Sequence, residues 1–209
     1  AGINVLARHV GAEVVVVDVG VAHAFPEMEG LRRCKVRPGT ANLAAGPAMT
    51  REDTEAAMAV GMAVAEELAA SGVDVIGLGE MGIGNTTPSS AITAVMTGAV
   101  PQAVTGRGTG LDDAAWAHKV SVIERALAVN QPDPNDPLEV LTALGGLEIV
   151  RQDGLAVPRA VLADVRDGLV VGPDHPDRQD QIQKLGLPVF RRGAQGLREG
   201  QAGAVAAPD

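Results

Sequence analysis

Glycine, hydroxyl and amide residues are concentrated between Gly77 and Pro88, where the chain reads Gly-Leu-Gly-Glu-Met-Gly-Ile-Gly-Asn-Thr-Thr-Pro. Glycine backbone lets a ligand approach closely, and proline is favoured in the first turn of a helix. The free N–H groups and positive dipole of a helix start attract phosphate, and Thr86 and Thr87 are expected to cap this helix with outward hydroxyls. The alternative is a turn whose side chains serve only their own backbone. The members of the predicted anion site are Gly82, Gly84, Asn85, Thr86 and Thr87.

Glu80 is the charged residue of this loop. A carboxylate repels a phosphate, so we expect its side chain to face a ribose hydroxyl, a cationic ring or a proton instead. A solvated surface charge is the simpler alternative.

The segment Gly77–Gly82 also matches the G-x-G-x-x-G pattern of dinucleotide-binding folds. That fold needs an acidic residue about 20 positions further on to hold the ribose hydroxyls. The chain has no Asp or Glu between Met81 and Leu111. A nicotinamide-dinucleotide oxidoreductase is therefore disfavoured, although the pattern leaves it open.

A second glycine-rich turn, Gly106-Arg-Gly-Thr-Gly-Leu-Asp112, also precedes a predicted helix. Either Arg107 in this turn or Lys119 about two helical turns later could supply the positive charge that a phosphorylated ligand needs. On residue type alone, each is more often an ordinary surface charge than a ligand contact.

The composition excludes several classes of protein. The chain has 209 residues, a net charge of −9, two Phe, one Trp and no Tyr, and this argues against a nucleic-acid groove with its basic and aromatic side chains. The single cysteine excludes an intramolecular disulfide, and scattered histidines predict no metal site. No apolar stretch reaches about 18 residues, which argues against a membrane-spanning helix. The first residues shown do not have the pattern of a secretory signal, so the expected compartment is the cytoplasm.

Charge is unevenly distributed along the chain. Residues 1–150 carry 9 Lys and Arg against 18 Asp and Glu, whereas residues 151–209 carry 8 of each. The composition therefore predicts a core over residues 1–149 and a separate C-terminal segment over residues 150–209.

Strand and helix patterns alternate along the first 149 residues. Thr50, with Asp53 three residues later, predicts a capped helix start, and Gly72 predicts its end. Asp112 or Asp113 caps a later helix whose apolar face carries Trp116, Val120, Ile123 and Leu127. The other predicted elements are a helix over 3–9, strands over 14–17 and 73–78, and a helix over 88–96. This alternation predicts an α/β fold with a largely parallel sheet.

The run Gly79–Pro88 closely resembles the signature loop of the nicotinate-nucleotide:dimethylbenzimidazole phosphoribosyltransferase family, enzymes of cobalamin lower-ligand assembly. The resemblance covers about residues 1–149. Further segments similar to the family follow in the same order: Ile3–Arg8, Val16–Val21, Gly106–Leu111, Lys119–Val120 and Leu144–Ile149.

This resemblance implies a Rossmann-like sheet flanked by helices, a homodimer and no metal or cofactor. The implied reaction moves the phosphoribosyl group of nicotinate mononucleotide onto 5,6-dimethylbenzimidazole and releases nicotinate and α-ribazole 5′-phosphate. The loop residues already named would cradle the phosphate, Glu80 would stabilise the ribose or its developing charge, and Lys119 matches a lysine near the family's active site. Glu199 matches the family's general base, with a surface glutamate as the alternative.

The chain also departs from the family pattern. The resemblance implies that the sequence begins inside a family segment, after the N-terminal part that helps to bind the aromatic acceptor, and that it diverges after Glu148 from the usual Gly/Ala-rich helix. A second hypothesis is therefore a catalytically silent relative that retains nucleotide binding or dimer formation.

Overall fold

Helices dominate the fold, with short strands between them. The computed structural model describes residues 2–73, 75–156 and 169–171. The described elements in chain order are α1 (Gly2–Val10), β1 (Val16–Asp18), β2 (Leu31–Arg33), α2 (Arg51–Ala70), β3 (Val75–Gly77), α3 (Thr86–Thr97), α4 (Pro101–Val104), α5 (Asp113–Asn130), α6 (Pro137–Leu144), α7 (Leu147–Ala156) and β4 (Leu169–Val171). The predicted α/β class is confirmed.

The strands form two short pairs. β1 runs parallel to β2, with Val16 opposite Leu31, and β3 runs antiparallel to β4, with Val75 opposite Val171. Each strand has three residues, so the predicted strands over 14–17 and 73–78 are present but shorter. Parallel pairing is confined to β1 and β2 within the described residues.

Helix α2 is the central support of the strands. Its start is a capping box, in which the Thr50 side chain accepts from Asp53 N and the Asp53 carboxylate accepts from Thr50 N. Its end is followed by Gly72 with a φ of 83°. Both predicted ends are therefore confirmed. Val64 and Ala65 of α2 pack against residues on or beside the strands β1 and β3, namely Val15, Val17, Ile76 and Leu78.

A second cluster joins α3, α5 and α6. Ile123 of α5 is completely buried against α3 and α6, in the cluster formed by Ala91, Ala126, Val140, Ala143 and Leu144. The predicted apolar face of α5 is confirmed: Val120 and Ile123 are buried, while Trp116 and Leu127 are half-buried. This packing fixes the helix that carries Lys119.

Helix α7 packs closely along α2. Leu147 and Val150 are buried with Ala57 of α2, and Gly154 allows the two backbones to approach. Of the C-terminal segment predicted from residue 150 onward, the structure describes the rest of α7 and β4. Among the described residues, no helix has the length and apolar character needed to cross a membrane.

Candidate anion-binding site

The glycine-rich loop leaves β3 at Gly77 and ends where α3 begins at Thr86. Gly82 and Gly84 have φ values of 70° and 79°, in the left-handed region that glycine adopts readily. The apolar side chains next to these glycines point outward: Met81 is 80% exposed and Ile83 is 83% exposed. The middle of the loop therefore presents its backbone and side chains to solvent.

Helix α3 begins earlier than the sequence predicts. Asn85 is the N-cap, with φ −101° and ψ −1°, and its side chain makes no capping hydrogen bond. Thr86 and Thr87 occupy the first helical turn, so the prediction that they cap the helix is wrong. Pro88 follows them in that turn. Because the first N–H groups of a helix have no carbonyl partner within it, the backbone of Thr86 and Thr87 remains available to an anion.

Lys119 connects this helix start to the second glycine-rich turn. Its side-chain nitrogen Nζ donates to Thr86 Oγ1 at 2.8 Å and to the Gly106 carbonyl at 3.1 Å. The residue is 8% exposed, and the described part of the chain gives it no carboxylate partner. An ammonium group has three N–H donors, so these two hydrogen bonds leave one donor for a ligand.

The second turn passes directly over this pair. A side chain at Gly108 would place its Cβ 3.5 Å from Thr86 Oγ1 and 3.8 Å from Lys119 Nζ, so glycine leaves room beside both groups. Gly108 also has a φ of 56°. The two glycine-rich segments named from the sequence therefore meet at Lys119.

The side chain of Arg107, the other candidate cation, makes its hydrogen bonds within its own turn and at the start of the next helix. It is exposed, donates to the Leu111 carbonyl at 2.9 Å and pairs with Asp113 at the start of α5. Its guanidinium also lies 5.8 Å from the centre of the Trp116 ring. Asp112 caps α5 by accepting from Ala115 N at 2.8 Å, which selects it over Asp113 as the predicted cap.

Glu80 folds back on its own loop. Its carboxylate accepts a hydrogen bond from Gly82 N, and the side chain is exposed. Among the described residues no cation pairs with Glu80 in this arrangement. A ligand that engaged the Gly82 N–H would therefore compete with Glu80 for it.

One contact with the loop has no counterpart in the sequence motifs. Arg151 of α7 donates from Nη2 to the Gly79 carbonyl at 3.1 Å, across 72 positions of sequence. Burial lowers the pKa of the Arg151 guanidinium, and the nearby Glu148 carboxylate opposes that shift. Periodicity on α7 could have indicated a buried arginine, but no motif links it to Gly79.

The predicted site residues thus separate into three groups. Asn85, Thr86 and Thr87 lie at the start of α3, where the Lys119 side chain reaches them from α5, while Gly82, Gly84 and Glu80 lie in the exposed loop before it. Glu199 lies outside the described residues. Within the described part of the chain, no group of three or more metal-ligating side chains is placed to hold an ion. The arrangement is suited to binding a small anion such as a phosphate group.

Known proteins resemble both the sequence and the fold. A family model described as phosphoribosyltransferase matches residues 1–170. The nicotinate-nucleotide–dimethylbenzimidazole phosphoribosyltransferase of Geotalea uraniireducens is 58% identical over 160 residues, which cover 77% of this chain and 46% of that protein. The enzyme of the same name from Desulforamulus reducens is 40% identical over 232 residues, covering the whole chain and 66% of the relative.

A solved structure agrees with these matches. The crystal structure of CobT from Thermus thermophilus superposes with a TM-score of 0.69 at 45% identity, and covers 74% of this chain and 46% of that one. The chain spans about half the length of most of these proteins. The family match over residues 1–170 and the named relatives establish that the chain belongs to the nicotinate-nucleotide–dimethylbenzimidazole phosphoribosyltransferase family.

Proposed function

We propose that this protein transfers the phosphoribosyl group of nicotinate mononucleotide to 5,6-dimethylbenzimidazole, giving α-ribazole 5′-phosphate and nicotinate. The proposal is supported mainly by the buried Lys119 ammonium, which donates hydrogen bonds to Thr86 Oγ1 and to the Gly106 carbonyl at the start of α3. A phosphate there would meet a fixed positive charge, two free helical N–H groups and a hydroxyl. The names of the relatives supply the identity of the two substrates.

The chemistry requires little covalent participation by the protein. A ring nitrogen of the benzimidazole attacks the anomeric carbon from the face opposite nicotinate, and the configuration of that carbon inverts. The bond from this carbon to the pyridine nitrogen breaks, and its electron pair returns to the ring as nicotinate leaves. The benzimidazole loses its N–H proton to a carboxylate. The protein must therefore hold the phosphate, stabilise an oxocarbenium-like centre and provide that base.

Two carboxylates are proposed for the remaining roles. Glu80, in the exposed part of the loop, would leave Gly82 N and turn toward the ribose, where its charge would stabilise the developing cation. Glu199 would accept the benzimidazole proton, a role that rests on its resemblance to the family's general base. A Glu199→Gln variant with unchanged turnover would remove it from the mechanism.

We also propose a cytoplasmic homodimer. The large aliphatic side chains of α1 support an association surface, since Ile3, Val5, Leu6 and Val10 are all more than half exposed. Light scattering of the purified protein is expected to give twice the mass of one chain. A particle with the mass of a single chain would contradict the dimer.

The proposed reaction is tested by mass spectrometry. Purified protein is incubated with nicotinate mononucleotide and 5,6-dimethylbenzimidazole, and α-ribazole 5′-phosphate is expected as product. Lys119→Met should reduce product formation by about a hundredfold or more, because the phosphate loses its fixed charge in a buried setting. The matched control is Arg125→Met on the same helix, an exposed cation whose loss should leave the rate within about twofold of wild type.

The alternatives give different results. Folded protein that binds nicotinate mononucleotide but forms no product would indicate a silent relative that retains the nucleotide site. Equal activity of Lys119→Met and Arg125→Met would contradict the placement of the phosphate at Lys119.

A further inference from the structure

The first residue of the signature loop is held from outside the loop. Arg151 Nη2 donates to the Gly79 carbonyl at 3.1 Å, immediately before Glu80. Arg151 is 9% exposed, so a full positive charge is removed from water at this place. Burying a charge is costly unless it satisfies a specific partner, and within the described residues the hydrogen-bond partner is the Gly79 carbonyl.

The helix that carries Arg151 is held firmly in place. Leu147 and Val150 on the same helix are buried in the cluster that includes Ala57 of α2. Gly154, three residues further on, lies so close to α2 that an added Cβ would be 2.8 Å from the Cα of Met58. The Arg151 backbone is therefore fixed relative to α2, and its guanidinium can act as a rigid donor.

The opposite end of the loop is held in the same manner. Lys119 donates to Thr86 Oγ1 at 2.8 Å, so one buried cation contacts each end of the stretch from Gly79 to Thr86. Between these contacts lie the exposed Met81 and Ile83 and two glycines with positive φ. Because glycine backbone is flexible unless it is constrained, the loop depends on these two end contacts to keep a single conformation.

We propose that Arg151 is a positioning residue, which orders the loop through the Gly79 carbonyl and so sets its affinity for a phosphorylated ribose. The ordering of the loop follows from the Arg151 and Lys119 contacts at its two ends. The effect on nucleotide affinity rests on the function proposed above. Binding costs less when the loop is already in its bound arrangement, so loss of the contact weakens nucleotide binding without removing any group that touches the nucleotide.

Hydrogen exchange measured by mass spectrometry tests the ordering without reference to function. In Arg151→Met, amides of residues 79–86 are expected to exchange at least about tenfold faster than in wild type, while those of α2 keep their rates. Arg151→Lys keeps a charged donor and should recover most of the protection. The control is Arg51→Met, which removes an exposed arginine of α2 and should leave the loop unchanged. If Arg151→Met does not fold, Arg151→Gln is compared with wild type and with Arg151→Lys in the same way.

Calorimetry with nicotinate mononucleotide then tests whether loss of the Arg151 contact weakens nucleotide binding. The dissociation constant is expected to rise about tenfold in Arg151→Met and to stay within about twofold of wild type in Arg51→Met. Loop exchange equal to that of wild type in both the Met and Gln variants would overturn the role of Arg151. Faster loop exchange in a protein whose wild type does not bind the nucleotide would uphold that role and contradict the proposed function instead.

Discussion

Replacing Gly154 with alanine should disturb both the stability of the protein and the support of its loop. An ideal Cβ at this position would lie 2.8 Å from the Cα of Met58 and closer still to its carbonyl oxygen. Carbon atoms pack at about 3.5–4.0 Å, so α7 would have to move away from α2 by about 0.7 Å or more. The obstructing atoms belong to the backbone, so no side chain can rotate to relieve the contact.

Moving α7 away from α2 would lower the free energy of unfolding, because it would separate buried side chains that pack between the two helices. Leu147 and Val150 would be drawn away from Ala57, in a cluster whose members are almost completely buried. Overpacking costs about 1–3 kcal/mol, and we expect the upper end, about 3 kcal/mol, because backbone must shift. In a chain of this size that lowers the melting temperature by about 6–12 °C.

Urea denaturation followed by circular dichroism measures this change. The control is Gly2→Ala on α1, where a Cβ would meet no atom within 4 Å, and its free energy of unfolding should differ from wild type by less than about 0.5 kcal/mol. A Gly154→Ala protein as stable as Gly2→Ala would refute the close packing of α7 on α2.

Three further predictions concern the scaffold. Ile123→Ala should lower the free energy of unfolding, measured by urea denaturation, by about 3 kcal/mol. Val129→Ala, on the same helix but 48% exposed, should change it by less than about 0.5 kcal/mol. Similar losses in the two variants would contradict the packing of α5. Thr50→Ala should cost about 1 kcal/mol by the same measurement, and no change would mean that the capping box contributes nothing to α2. Hydrogen bonds from the Arg37 side chain and the Thr50 backbone lower the pKa of Asp53 below its usual 3.8. The ionised Asp53 carboxylate therefore stabilises the folded protein above pH 3.8. This contribution is lost as the pH falls through the lowered pKa of the folded state. Acid titration of unfolding should therefore show the wild-type advantage over Asp53→Asn disappearing below about pH 3.8, and an advantage that grows in acid would contradict this assignment.

Local chemistry made helices α2 and α5 predictable from the sequence, whereas α4, α6 and α7 were not predicted. The Thr50 and Asp53 pair and Gly72 define α2 because a capping box and a left-handed glycine act within a few residues. The apolar spacing of α5 likewise identified its buried face. The start of α3 was less predictable, since several small polar residues before Pro88 could each occupy the cap, and the structure places Asn85 there.

The meeting of the two glycine-rich segments depends on tertiary structure. Residue type and spacing left both Arg107 and Lys119 as candidates, because both are cations near the second turn, and only the family resemblance favoured Lys119. Packing of α5 buries Lys119 beside Thr86, whereas Arg107 pairs with Asp113 at the surface. Arg151 was not identified, because its partner is a backbone carbonyl 72 positions away and leaves no side-chain pattern. The family resemblance identified the loop, but it carries no information about this contact.

In the proposed function, Lys119 and Thr86 hold the phosphate of a nucleotide. The most direct test compares the affinities of nicotinate mononucleotide and nicotinate riboside, which differ only in that phosphate, by calorimetry in wild type, Lys119→Met and Arg125→Met. Wild type and Arg125→Met are expected to bind the nucleotide at least about tenfold more tightly than the riboside, and Lys119→Met is expected to lose most of this preference. An unchanged preference in Lys119→Met would contradict the claim and place the phosphate elsewhere.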